Sequence, residues 1–220
     1  MCSFIFSNKL INIESNILSK RRGPDYTNFK KIGVYYFLHN LLNISKKFSI
    51  QPLSDPEENI FLLYNGEIYN ANDYANDGES IIPLYTEFGY KMPNKLDGEF
   101  ALCLLDIKKN ILLLSTDIFA TKPLWLAIED SSIGVASYQS SLERLGFNSA
   151  KKVPANTKLI VDLSNLQLKN KSNIFNFNVE QYKDNFSDWN IAFENSIRKR
   201  TYNCDKKIFI GLSSGYDSGC

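Results

Sequence analysis

A single histidine, His39, and four cysteines, Cys2, Cys103, Cys204 and Cys220, are all that 220 residues offer for soft-metal or disulfide chemistry. The cysteines are scattered without a ligand spacing, so neither a zinc site nor a disulfide framework is indicated. One histidine cannot head a metal cluster, and no partner near it in sequence makes it a base; a structural role is expected for it. No apolar run approaches the roughly 20 residues of a membrane span. Residues 1–10 lack the charged start and long apolar core of a signal peptide, so a cytoplasmic chain with no membrane partner is expected. Neither sign of charge is in excess: the net charge is +1, which removes the electrostatic case for nucleic acid. The short basic clusters, Lys20 to Arg22 and Arg198 to Arg200, read as solvated faces. What is present, 44% hydrophobic and 22% charged residues, describes a globular chain able to bury one good core and to begin a second.

Short β-rich runs separated by turn signals predict strands at Ile32 to Leu38, Ile60 to Tyr64, Phe100 to Asp106, Ile111 to Ser115, Ile133 to Ser137 and Lys158 to Leu163. Helical spacing appears at Glu79 to Phe88, with Ile81, Ile82, Leu84, Tyr85 and Phe88 on one face, and again at Ser140 to Leu145. Residues 166–185, rich in Asn, Lys and Ser, read as a connector between a domain at 1–165 and a second element set at 186–220. There Ser187 can cap a helix carrying Trp189, Ile191, Phe193 and Ile197, and Lys207 to Leu212 reads as a buried strand.

Cys2 stands directly behind the initiator Met1. Removal of Met1 exposes a residue that carries a thiol and a free α-amine together. The amine titrates at roughly 8 and can take the thiol proton, directly or through a water. The same residue also opens the apolar run Cys2 to Phe6, where a cysteine serves equally as a small hydrophobe in a buried strand. Asn65-Gly66 is similarly two-sided. A side-chain amide beside an unhindered backbone amide can supply two donors to an oxyanion, and Asn-Gly is also the commonest hairpin turn dipeptide.

Several segments occur in a telling order: Met1-Cys2-Ser3, Arg21-Arg22-Gly23-Pro24-Asp25, Asn65-Gly66-Glu67-Ile68-Tyr69-Asn70, Leu96-Asp97-Gly98-Glu99-Phe100-Ala101 and Asp117-Ile118-Phe119-Ala120-Thr121-Lys122-Pro123-Leu124. In identity, order and spacing they resemble the glutamine amidotransferase domain of glutamine-hydrolysing asparagine synthetases, an N-terminal-nucleophile hydrolase. The resemblance spans essentially residues 1–165. It implies an α+β fold, two stacked antiparallel sheets flanked by helices, followed by the first elements of an α/β synthetase domain. It further implies that Cys2 attacks the glutamine side-chain carbonyl, that Asn65 and Gly66 hold the oxyanion, and that Asn65, Gly66, Glu67 and Asp77 bind glutamine, Asp77 through the substrate's α-amine. Asp77 also reads as a helix N-cap, with Ser80 three residues on.

Where the family places an Arg to grip the substrate α-carboxylate, Leu38-His39-Asn40-Leu41-Leu42-Asn43-Ile44 puts Leu41, with Lys46 and Lys47 beyond the strand. Thr116 and Ala120 replace the usual Arg and Gly, and Tyr138 replaces a Glu. Toward the other end, Leu212-Ser213-Ser214-Gly215-Tyr216-Asp217-Ser218 resembles the pyrophosphate loop of adenylating synthetases, implying nucleotide contacts from Leu212, Ser213, Gly215, Asp217 and Ser218. Ser214 stands in for a glycine there. Cys220 comes before a complete nucleotide site, as in a fragment of a longer synthetase or a truncated protein. The expectation is a glutaminase needing no cofactor, serving a full-length enzyme that uses ATP and Mg to amidate a carboxylate acceptor, asparagine or a related amide being the product; a homodimer is allowed. The rival expectation is a non-catalytic scaffold that has lost glutamine binding through Leu41.

Overall fold

The computed structural model describes residues 2–44, 48–202 and 207–216. They fall into two units, the first ending at Phe177 and the second starting at Asn178. In the first unit the strands are β1 (Ser3–Ser7), β2 (Tyr26–Ile32), β3 (Tyr35–Leu41), β4 (Leu53–Ser54), β5 (Ile60–Ile68), β6 (Gly98–Asp106), β7 (Ile111–Thr116), β8 (Trp125–Glu129), β9 (Ser132–Ala136), β10 (Lys151–Lys152), β11 (Thr157–Asp162) and β12 (Gln167–Asn173). The helices are α1 (Ile13–Asn16), α2 (Ile81–Phe88) and α3 (Gln139–Arg144), with 3-10 turns at Ser19–Arg22, Asp77–Ser80 and Gly89–Lys95. Two six-stranded antiparallel sheets result, ordered β10-β8-β9-β1-β3-β2 and β12-β11-β7-β6-β5-β4. The fold is the α+β sandwich that the resemblance implies.

The central strands read as unbroken apolar runs because both their faces are covered. In β6, Ala101, Cys103 and Leu105 point between the sheets, where they meet Phe4, Phe6, Phe37, Phe61 and Leu63. Their neighbours Phe100, Leu102 and Leu104 point outward, under Ile81, Ile82 and Tyr85 of α2. On the far side of the first sheet, Ile5 and Ala136 pack under Leu142 of α3 and Phe147. Each such side chain contributes about 1.5–3 kcal/mol by leaving water, and this three-layered burial fixes the strand register at the mouth of the sandwich.

Four expectations need correction. The run Ile32 to Leu38 is not one strand: the chain reverses at Gly33, whose φ of +57° suits glycine, and a β2–β3 hairpin straddles it. Apolar residues on both sides of a lone Gly concealed the turn. The connector at 166–185 contains β12, paired along its length with β11. Backbone pairing needs no apolar side chains, and a polar sequence on an edge strand discourages further pairing. The strand expected at Lys207 to Leu212 is absent: residues 207–212 are irregular and exposed, with Phe209 91% accessible, and no strand among the described residues of this unit pairs with them. The helix expected after Ser187 forms as α4 (Ser187–Thr201), but Phe186 precedes its first turn and no side chain caps it.

Candidate active site

Cys2 lies one residue ahead of β1. The β1–β3 ladder pairs Ser3 with Asn40, so Cys2 faces Leu41 across the same ladder. The next residue, Leu42, directs its N–H at Cys2 Sγ over 3.5 Å, and Sγ lies 3.9 Å from the Leu42 carbonyl oxygen. Leu42 is in turn held by the Arg21-Arg22-Gly23-Pro24-Asp25 segment. The Asp25 carboxylate accepts the Asn43 N–H at 2.7 Å, and the Asp25 N–H donates to Leu41 O at 3.1 Å. Gly23 is required for this approach, because a Cβ there would lie 2.1 Å from the Asn40 carbonyl oxygen. Behind the start of β1, Asn40 Nδ2 donates to Ser3 Oγ at 3.0 Å and to Asn16 Oδ1 at 2.7 Å, a buried polar layer that fixes where the nucleophile stands.

Cys2 is half-buried. Burial pushes its thiol above the usual range, the Leu42 N–H pulls it back, and the carboxylates of Glu67 and Asp77 push it higher. The thiol therefore needs a base, and a terminal amine on the same residue is the nearest conceivable one. Met1 lies outside the described residues.

Asn65 and Gly66 are not a turn. They lie within β5, opposite Ala101 and Phe100 of β6. By strand alternation Asn65 shares the inward face of Phe61 and Leu63, the face turned toward β1. Asn65 is buried at 4% exposure, yet none of the described residues hydrogen-bonds its side-chain amide. Gly66 runs so close to β6 that a Cβ would lie 2.1 Å from Glu99 O.

Asp77 does not cap a helix. Asn76 takes that role, its side chain accepting the Gly78 N–H, while Ser80 Oγ donates to the Asp77 carbonyl. The Asp77 carboxylate instead accepts the Tyr64 hydroxyl at 2.6 Å and the Ile68 N–H at 2.7 Å, both from β5. The burial of Tyr64, and after it the Asp77 charge, pushes the Tyr64 hydroxyl well above its usual range, so Tyr64 remains a donor. Tyr64 is fixed through its backbone by Gln51, whose side chain accepts the Tyr64 N–H at 2.6 Å and donates to the Tyr64 carbonyl at 3.0 Å.

Glu67 pairs with Glu99 across β5 and β6. Its side chain reaches solvent, but the walls of the mouth and the Asp77 charge push its carboxyl up to about 7, with Lys122 pulling the other way. Buried Lys122 donates to Glu99 Oε2 at 3.0 Å, and the Tyr69 hydroxyl donates to Glu99 Oε1 at 3.2 Å. Reading the sequence assigned no site role to Gln51, Tyr64, Glu99 or Lys122. Glu99 and Lys122 did sit within the quoted motifs, but their pairing across 23 residues is a tertiary contact that no local pattern records.

His39 is structural as expected: it is 1% exposed in the interior, Nε2 has no hydrogen-bond partner, and burial lowers it to about 4. Thr116, at the family's Arg position, is buried and donates to the Pro154 carbonyl at 2.6 Å. Of the nucleotide-loop residues, Asp217 and Ser218 lie outside the described residues. Leu212, Ser213 and Gly215 are exposed, and the Gly215 N–H turns to Ser213 Oγ at 3.2 Å. The described part of this loop, residues 212–216, contains no strand and carries no step of the chemistry below. Among the described residues no group of His, Cys, Asp and Glu could hold a metal ion, and no helix is long and apolar enough to cross a membrane.

Residues 6–183 match the sequence family described as the glutamine amidotransferase domain. A Methanocaldococcus jannaschii protein named as a glutamine-hydrolyzing asparagine synthetase is 29% identical over 85% of this chain and 39% of its own. The glutamine-hydrolyzing asparagine synthetases of Mesocricetus auratus and Homo sapiens are each 28% identical over 90% of this chain and 42% of theirs. The chain thus spans about two fifths of the length of these curated relatives. Among solved structures, the glutamine phosphoribosylpyrophosphate amidotransferase of B. subtilis superposes with a TM-score of 0.53 at 16% identity, covering 64% of this chain and 35% of its own, which shows a shared fold.

Proposed function

Because the chain belongs to the glutamine amidotransferase domain family, we propose that it hydrolyses the side-chain amide of glutamine at Cys2 and releases ammonia. One observation carries this reading. The thiol at the head of β1 and the amide of Asn65 on the inward face of β5, unengaged among the described residues, stand at the same end of the sandwich, with the Asp77 carboxylate anchored nearby. In this chemistry the α-amine of mature Cys2 takes the thiol proton, and the sulfur adds to the amide carbonyl. Asn65 Nδ2 and the Gly66 backbone stabilise the oxyanion, an effect worth roughly 3–4 kcal/mol per donor. The amine returns its proton to the leaving ammonia, and water then cleaves the thioester. Asp77, oriented by its two fixed donors, receives the substrate ammonium.

In the same reading the ammonia feeds an ATP- and Mg-dependent carbon-nitrogen ligase, cytoplasmic, that amidates a carboxylate such as aspartate. The names of the relatives, glutamine-hydrolyzing asparagine synthetases, support the amidation step of this reading.

The test is ammonia release from an amide donor by the full chain, with Met1 removal followed by mass spectrometry. Cys2→Ala should abolish release and leave thermal unfolding nearly unchanged, since alanine suits a half-buried strand end. Undiminished turnover in that variant, or an active protein that retains Met1, overturns the mechanism.

A further inference from the structure

Among the described residues, the charged side chains that act on the nucleophile come from the β5 side of the mouth. Phe37 points between the sheets, and by alternation along β3 so do His39 and Leu41. Across the β1–β3 ladder, Phe4 and then Cys2 share that face. Leu41 is therefore the inward neighbour of the nucleophile, buried at 7% exposure and held in place by the Asp25 N–H on its carbonyl. From the opposite sheet the inward series Leu63, Asn65, Glu67 ends in a carboxyl, with Glu99 paired beside it. The charged side chains that act most strongly on the thiol are Glu67 and Asp77, both acidic. Among the described side chains, the cation that acts on Glu67 is Lys122, and it is committed to Glu99 at 3.0 Å.

Free glutamine is a zwitterion. Its ammonium suits Asp77, but its α-carboxylate would enter a region of carboxyl groups with an isobutyl side chain beside the nucleophile, where a buried charge needs a partner. Blocking that carboxylate as an amide removes the charge, and with it the penalty of leaving an ion unpaired beside Leu41. We propose that this site takes as its preferred amide donor a glutaminyl residue whose α-carboxyl is blocked, such as the N-terminal glutamine of a peptide, with Leu41 as the specificity-determining residue. This rests on the Cys2 glutaminase reading. The reaction balances as before: the Sγ–C bond forms at the side-chain carbonyl, the C–N bond breaks, ammonia leaves with the thiol's proton, and water returns the thiol and a glutamyl carboxylate.

The experiment compares Cys2-dependent ammonia release from L-glutaminylglycinamide, which carries no carboxylate, and from L-glutamine, with Cys2→Ala as the blank for spontaneous cyclisation of the dipeptide. The full chain should favour the dipeptide at least tenfold in kcat/KM. Leu41→Arg should move that ratio at least tenfold toward free glutamine, mostly through KM. Leu41→Met, which keeps an apolar side chain of similar size, should leave it unchanged and controls for repacking. Preference for free glutamine in the wild-type chain overturns the donor assignment while leaving the glutaminase reading intact. A folded Leu41→Arg variant with an unaltered ratio overturns the role of Leu41. Absence of Cys2-dependent ammonia from both donors overturns the glutaminase reading and the proposal together.

Discussion

Asn65 and Asp77 sit 12 positions apart in sequence and act on opposite ends of the same substrate, which makes their effects separable. Asn65 contributes an amide that nothing among the described residues engages, so its benefit arrives when the carbonyl oxygen gains charge. Asn65→Ala should lower kcat by about 10² to 10³ with a smaller effect on KM. Asp77 is already paired with the Tyr64 hydroxyl and Ile68 N–H, and its remaining acceptor capacity faces a group that carries the same charge in ground and transition states. Asp77→Ala should chiefly raise KM. Steady-state kinetics on both variants decides it; equal shifts in one parameter would refute this division of roles. At this scale the sequence was informative wherever the chemistry belongs to a residue type, as with the thiol of Cys2 or the amide of Asn65. It was silent where the role is conferred by a distant partner. Tyr64 acquires its function from Asp77, and Gln51 from the Tyr64 backbone, only after the strands have aligned.

The turn between β7 and β8 shows how an element can keep its geometry while losing the residue best suited to it. Asp117 organises this turn: its carboxylate accepts the Phe100 N–H at 2.9 Å, the Phe119 N–H at 2.9 Å and the Thr121 N–H at 3.0 Å. Those bonds hold Ala120 at φ +50°, a left-handed conformation in which a Cβ is strained. The turn leads directly to Lys122, and Phe100 lies opposite Gly66, so its shape bears on the site. Ala120→Gly should stabilise the chain by about 1 kcal/mol, the relief of strain exceeding the extra entropy of the unfolded glycine. A urea midpoint that stays level or falls would refute this. Element by element, strands with two covered faces were legible because burial demands apolar runs, as in β6 and β7. β2 and β12 escaped notice because each is an edge strand with an accessible, polar face, and the strength of such a strand lies in its ladder, which composition does not record.

For the molecule as a whole, folding encloses a titratable group, His39, whose Nε2 has no hydrogen-bond partner among the described residues. His39 stays neutral in the folded chain until pH falls to about 4, whereas the unfolded chain binds a proton there near pH 6.5. Between those values the unfolded state holds more protons. The contribution of His39 to stability is therefore complete above about pH 6.5 and declines as pH falls through the window, by roughly 3 kcal/mol once both states are protonated. Glu67 works in the opposite sense. Its carboxyl, raised to about 7 in the fold, takes up a proton before the unfolded chain does and so favours the folded state as pH drops from about 7 toward 4.5. The two trends overlap, and the wild-type profile alone does not separate them; a variant difference does. In His39→Gln the acid-side loss should disappear, so that the stability of the wild-type chain relative to the variant falls by roughly 3 kcal/mol between pH 7 and pH 4 in urea titrations. Parallel profiles would show that His39 gains a proton in the folded state as readily as in the unfolded one. The interior next to Phe4 would then have to admit a charge, contrary to a histidine whose Nε2 has no hydrogen-bond partner.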